Sequence, residues 1–307
     1  MTSAVVFGYH NVGVRCLKVL LAHGIDVKLV VTHEDNPNET IWFESMAGTA
    51  REYGLPCITP EDTNTPELFE RMAGIAPDFL FSFYYRQMLK APLLAAARRG
   101  GYNMHGSLLP KYRGRVPVNW AVLHGERETG ATLHRMVEKP DAGEFLGRQA
   151  VPILPDDTAG EVFGKVTVAA EMLLDRVLPG LIDGTAPHFP LDLTQGSYYS
   201  GRKPEDGRID WRQSAAQVHN LVRAVAPPYP GAFSDVADHR LRILRTQLQP
   251  GRSLPAAQPA FVVEGGELLA RCGDGGVVKI LELELDGLRI VPADLPQRLD
   301  RHPIPLA

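Results

Sequence analysis

Asn103 and His105 stand two residues apart in the run YNMH. On an extended strand, alternation turns both side chains to one face and Met104 to the other. Asp141 lies in the turn EKPDAG (138–143), just after a second strand-like run, TGATLHRMV (129–137). An amide, an imidazole and a carboxylate at strand ends make a working set for acyl transfer. The amide N–H stabilises a developing oxyanion. The imidazole moves a proton, and the carboxylate orients the ring and favours its charged form. His124 and His134 read as hydrogen-bonded structural histidines.

The same stretch is unusual in charge. The chain has 36 Asp and Glu against 32 Lys and Arg, a net charge of −4, yet the 47 positions from 79 to 125 contain no acid and seven cations. Lys90, Arg98 and Arg99 fall on an expected helix and read as a solvated face. Lys111, Arg113 and Arg115 alternate with Tyr112 and Gly114 in a loop after Pro110. Forked guanidinium donors on flexible backbone suit a phosphate or a carboxylate.

The elements that must position these groups alternate between strand and helix. AVVF (4–7), VKLVVT (27–32), Leu55–Ile58 and FLFSF (79–83) read as strands. Helices are expected after Gly8 to about Gly24, around 41–52 beyond the loop DNPNE (35–39), and after Pro66 with Thr65 as N-cap. This alternation predicts a parallel α/β sheet, Rossmann-like, with helices on both faces and ligands beyond the carboxyl ends of its strands. Residues 180–207, with three prolines, five glycines and no periodicity, read as a linker. A helix over 213–226 and short β-like runs from Ala232 onward, separated by glycine pairs, predict a small C-terminal OB-like β-barrel. The expected division is a catalytic domain over 1–200 and a β domain over 201–307.

Several function classes fall away. The segment GYHNVG (8–13) has only the outer two glycines of the dinucleotide fingerprint, so a tight βα turn is the better reading than a redox cofactor site. Cys16, Cys57 and Cys272 give neither a disulfide framework nor zinc spacing, and no metal is expected. No apolar run reaches the length of a membrane span, and the start lacks signal-peptide character, so a cytoplasmic enzyme is expected.

The blocks NMHGSLLPKYRGR (103–115) and TGATLHRMVEKPDAG (129–143) resemble the signature of the formyltransferases that use 10-formyltetrahydrofolate. The likeness runs through VVFGYH, THEDNP, FSFYYR and GRKPEDGRIDW to VRAVAPPYPGAF, and fades over the last seventy residues. FSFYYR and KYRGRVPVNW are closest to the branch that acts on UDP-4-amino-4-deoxy-L-arabinose. The resemblance covers that branch's formyltransferase part and not its dehydrogenase part. It implies Asn103 as oxyanion stabiliser, His105 as proton-transfer residue and Asp141 as the group that keeps the histidine charged. It also implies folate contacts at Gln87, Met88 and Leu89, at Arg115, and along the turn Val137, Glu138, Lys139, Pro140 and Asp141. Gln87 stands where the family usually carries histidine.

The acceptor implied is the amine of a nucleotide-linked amino sugar, with methionyl-tRNA as the alternative. Residues 208–307 balance twelve Lys and Arg with a similar number of acids, so no basic stripe for nucleic acid is expected. A non-catalytic folate- or nucleotide-binding regulator on the same fold is disfavoured by the joint presence of Asn103, His105 and Asp141.

Overall fold

A computed structural model describes residues 1–36, 41–236, 238–255 and 258–306. Residues 37–40 of the expected loop DNPNE therefore lie outside the described residues. The chain divides into two compact units: Met1–Pro117, Thr129–Val151 and Gly164–Ser200 form the first, and Val118–Glu128, Pro152–Phe163 and Gly201–Ala307 the second.

The first unit is built on a seven-stranded sheet. Its strands are β1 (Ser3–Gly8), β2 (Asp26–Val31), β3 (Cys57–Ile58), β4 (Phe79–Phe83), β5 (Gly101–His105), β7 (Glu128–Arg135) and β8 (Phe145–Pro152), in the order β3-β2-β1-β4-β5-β7-β8. A two-stranded pair, β6 (Arg113–Gly114) with β9 (Tyr198–Tyr199), stands apart. The helices up to residue 183 are α1 (His10–Ala22), α2 (Met46–Glu52), α3 (Pro66–Ile75), α4 (Ala91–Ala95), α5 (Pro117–Leu123) and α6 (Ala159–Asp183). β1 and β4 are buried along their whole length because both sheet faces are covered. Val5, Phe7, Leu29 and Leu80 pack one face against Leu68 and Met72 of α3 and Leu93 of α4. Arg15 of α1 clasps Glu171 of α6 with two hydrogen bonds, of 2.8 and 2.5 Å. Thr65 caps α3 as expected, accepting from Leu68 N at 3.4 Å.

The second unit has α7 (Ala215–Val225), the short α8 (Leu295–Arg298) and the antiparallel strands β10 (Ala232–Val236), β11 (His239–Leu248), β12 (Ala260–Glu264), β13 (Glu267–Arg271), β14 (Val277–Leu285), β15 (Leu288–Ile290) and β16 (Ile304–Pro305). The strands form the small barrel-like sheet expected, in the order β10-β11-β14-β13-β12-β16. Trp211 is fully buried against Phe261, and its indole N–H donates to Ser234 Oγ at 3.0 Å. Ser214 and Gln217 close a capping box at the start of α7. No described helix is long and apolar enough to cross a membrane.

The structure corrects three expectations. The sheet is not wholly parallel: β7 runs antiparallel to β5. The linker is partly structured, since α6 continues through Gly180 to Asp183 and β9 pairs with β6. A two-residue strand held by main-chain bonds leaves no hydrophobic period to read. Finally, α4 is only five residues long, and Arg99 beyond it is no solvated side chain. Its guanidinium lies 4.5 Å over the Phe79 ring and donates to Leu181 O and Ile182 O at 2.8 and 2.7 Å. A cation there satisfies carbonyls that the end of α6 leaves open.

Candidate active site

The site begins with the β5–β7 ladder. Its register sets Asn103 opposite His134 and His105 opposite Thr132. Met104 points to the other face and is buried, as the alternation requires. Asn103 Nδ2 lies 3.0 Å from His134 Nε2, and His134 Nδ1 lies 3.0 Å from the Arg135 carbonyl. His105 is buried, with Nε2 2.8 Å from the Tyr112 carbonyl and Nδ1 3.6 Å from Asp141 Oδ1.

Asp141 reaches the two histidines because its turn folds back over the strand end. Gly143 permits this, since a Cβ there would overlap the Arg135 carbonyl oxygen. Asp141 itself adopts φ 49°, a left-handed conformation that aspartate tolerates better than most residues. Its Oδ1 lies 3.5 Å from His134 Nε2, and its Oδ2 accepts the Gly114 N–H at 2.9 Å. Burial by itself pushes the Asp141 carboxyl up, but His105, His134 and the Gly114 N–H outweigh it and hold the group well below the usual carboxylate range.

The loop carrying Lys111, Arg113 and Arg115 is fastened from two sides. Thr132 Oγ1 donates to Ser107 O at 2.6 Å and accepts from Leu109 N at 3.1 Å. Ser197 Oγ accepts from Tyr112 N at 2.9 Å, Ser197 O from Arg113 N at 3.0 Å, and Tyr199 O from Arg115 N at 3.0 Å. Gly114, at φ 97°, lies so close to the Tyr199 carbonyl that a Cβ would overlap it. The Arg115 side chain is exposed.

The residues expected to meet folate fall into two groups. Gln87 spends its side chain inside the protein, accepting from Thr63 N and Oγ1 at 2.9 and 2.8 Å and donating to Glu61 O at 2.6 Å. Met88 is exposed, while Leu89 belongs to the core. Together these three deliver the chain into α4, whose Ala91, Leu94 and Ala95 form one wall of a cavity of about 670 Å³. Gly100 and Gly101 and the segment from Arg135 to Glu138 with Ala142 to Glu144 complete it. Val137 and Glu138 thus line the cavity, while Lys139 and Pro140 sit at the turn without lining it. Asn103, His105 and Asp141 are not in its wall; Asp141 immediately precedes Ala142, which is.

Two contributors escape the sequence reading. His134 is hydrogen-bonded as expected, but to Asn103 and near Asp141, because the antiparallel register places it against them. The Tyr112 carbonyl is a main-chain group and leaves no mark in residue type. Among the described residues no group of His, Cys, Asp or Glu is placed to hold a metal ion. At the turn GYHNVG, His10 packs against Phe43 and Trp42, with centroids 4.0 and 4.5 Å apart, and burial with the Arg86 charge lowers its pKa to about 3.

An α/β unit with an amide, imidazole and carboxylate at adjoining strand ends, joined in one chain to a barrel-like β unit, defines a class. Residues 4–178 match the formyl transferase family, and residues 202–296 match the C-terminal domain of formyl transferases. The chain belongs to the formyl transferase family and is a formyltransferase. Its fold is shared with an N-formyltransferase from Helicobacter canadensis solved with folinic acid and dTDP-3-aminofucose, at 20% identity over 91% of this chain and 99% of that one, TM-score 0.70. It is shared also with WlaRD, a sugar 3N-formyltransferase solved with dTDP and 5-N-formyl-THF, at 19% identity over 91% and 97% of the two chains, TM-score 0.71. A 4-N formyltransferase from Francisella tularensis matches at 20% identity over 76% of this chain and 91% of that one, TM-score 0.62.

Proposed function

We propose that this protein transfers the formyl group of 10-formyltetrahydrofolate to the amine of a nucleotide-linked amino sugar, with UDP-4-amino-4-deoxy-L-arabinose as the acceptor. The observation that carries the reading is the gathering of Asn103, His105 and Asp141, from two separate motifs, around His134: Asn103 Nδ2 lies 3.0 Å from His134 Nε2, and Asp141 Oδ1 faces His134 Nε2 at 3.5 Å and His105 Nδ1 at 3.6 Å. The folate-bound and nucleotide-sugar-bound states of the fold's neighbours agree with it.

The acceptor amine attacks the formyl carbon on N10, and the carbonyl electron pair moves onto oxygen. Asn103 donates a side-chain N–H to that oxyanion. His105 takes the proton that the attacking nitrogen loses and, as imidazolium, delivers it to N10 as the carbonyl re-forms and the C–N10 bond breaks, leaving a formamide and tetrahydrofolate. Asp141 favours the charged imidazole that makes the delivery. The cavity between α4 and the 135–144 turn is large enough for a pterin. Main-chain groups of Val137 and Glu138 in the cavity wall pair with its edge, and Gln87 to Leu89, Lys139 to Asp141 and Arg115, outside that wall, are assigned to the rest of the folate. Catalysis is assigned to residues 1–200 and a separate supporting domain to 201–307, and the enzyme to the cytoplasm.

The sugar acceptor is favoured over methionyl-tRNA because cations of the second unit are already paired: Arg208 and Arg240 with Asp235, Arg242 with Glu284, Arg252 and Lys279 with Glu267. The deciding experiment incubates the protein and 10-formyltetrahydrofolate with UDP- and dTDP-amino sugars, the free amino sugars and charged initiator tRNA, and reads the mass gain of one formyl group. The nucleotide sugars should react far faster than the free sugars, because remote binding energy positions the amine. Equal rates with and without the nucleotide, or efficient formylation of tRNA, refute the proposal.

A further inference from the structure

We infer that His134 is a positioning residue that fixes which way the Asn103 amide points, and that it does so only in its neutral form. This rests on the role given to Asn103 in the proposed reaction. Donors and acceptors decide the orientation. A main-chain carbonyl only accepts, so His134 Nδ1, 3.0 Å from the Arg135 carbonyl, carries the ring hydrogen. In the neutral ring Nε2 is then a bare acceptor. It faces Asn103 Nδ2 at 3.0 Å, and an amide NH₂ only donates. One Asn103 N–H is thereby anchored on His134, which leaves the other N–H to project toward the reacting oxygen. The flipped amide would set Oδ1 against the Nε2 lone pair and is rejected.

A second proton on His134 reverses this preference. Nε2–H would meet the donating NH₂ of Asn103, so the amide must turn its oxygen inward and withdraw its N–H groups from their productive place. The same Nε2–H gains a partner in Asp141 Oδ1, 3.5 Å away, the carboxylate that also faces His105 Nδ1 at 3.6 Å. The titratable groups facing His134 are thus Asp141 from the turn and His105 from β5, with ring centroids of the two histidines 6.5 Å apart. One imidazole chooses between the oxyanion donor and the carboxylate. The register of β5 against β7 makes this possible, because Asn103 and His134 are directly opposed on neighbouring strands. His134 is buried, so solvent does not compete for its nitrogens.

Two measurements test it. The Asn103 side-chain NH₂ resonances, assigned by their loss in Asn103→Ala, should shift in the wild-type protein as the pH is lowered, and should lie elsewhere and stay fixed in His134→Leu. His134→Leu should lower kcat by about 10²-fold, the low end of the cost of losing an oxyanion donor, with KM for the folate nearly unchanged. His134→Gln restores an acceptor at the Nε2 position; it should recover most of that rate, and its Asn103 resonances should no longer move with pH. Asn103 resonances that ignore both the titration and the substitution overturn the inference, as does a His134→Gln variant no better than His134→Leu. If no acceptor sugar is formylated but the resonances follow His134, the acceptor assignment falls and the positioning role stands.

Discussion

His105 Nε2 lies 2.8 Å from the carbonyl oxygen of Tyr112, and a carbonyl only accepts, so that nitrogen carries a hydrogen. Its other nitrogen faces Asp141 at 3.6 Å. In the proposed reaction the proton that His105 delivers from Nε2 starts in a hydrogen bond to the Tyr112 carbonyl, which the ring must release to deliver it. Tyr112 turns its carbonyl inward by adopting φ 57°. Catalytic hydrogen bonds often reach their working geometry only with substrate present.

Asn103→Ala removes the proposed oxyanion donor without touching the cavity wall. It should lower kcat on the order of 10²–10³-fold while folate affinity, measured by fluorescence or calorimetric titration, stays nearly intact. Lost binding with unchanged kcat would make Asn103 a ligand contact instead.

Asp141→Asn keeps the shape and an oxygen for the Gly114 N–H, and removes the charge. kcat should fall by about 10²-fold or more, as for loss of assisted proton transfer. Stability should respond to pH with a defined sign. The folded carboxyl titrates below its ordinary value of 3.8, so its ionised form contributes stability that is complete above about pH 4 and is lost as pH falls further. Denaturant midpoints of wild type and variant should therefore differ most near neutrality and converge in acid.

Gly114→Ala combines a strained φ of 97° with overlap onto the Tyr199 carbonyl. A loss of about 1–3 kcal/mol is expected from the conformation alone. Because Gly114 N–H holds Asp141, activity should drop further than thermal stability does, and a variant with normal kcat would show the contact to be dispensable.

His10→Asn tests the buried histidine, with a residue that tolerates its φ of 66°. The folded ring titrates near pH 3 against an ordinary value of 6.5, so the wild type keeps its full stability above pH 6.5 and loses it as pH falls toward 3. At pH 4.5 the wild type should have lost about 2 kcal/mol more, relative to pH 7, than the variant. Parallel urea titrations at the two pH values decide it.

Much of the site is legible in the sequence because the relevant patterns are local. The alternation in YNMH fixes a shared face for Asn103 and His105, and the Thr65 cap and the buried runs of β1 and β4 follow from composition and spacing. The direction of β7 is not legible. A short apolar strand looks the same run either way, and only pairing decides, so His134 reads as structural although it stands opposite Asn103. Arg99 misleads for a similar reason. Its partners are the carbonyls of Leu181 and Ile182, 82 and 83 positions along the chain, and no side-chain type signals an available carbonyl.

The pairing of β6 with β9 also bears on when the site comes into being. Tyr112 and Ser197, joined through the Ser197 hydroxyl, are 85 residues apart, and Tyr198 and Tyr199 complete the same clasp. Closing so long a loop costs entropy that only late contacts return. On a ribosome, a nascent chain that has already emerged through His105 and Asp141 would still lack the strand that steadies the Tyr112 carbonyl and the Gly114 N–H. The proposed proton-transfer machinery is thus completed only after the sheet that carries it.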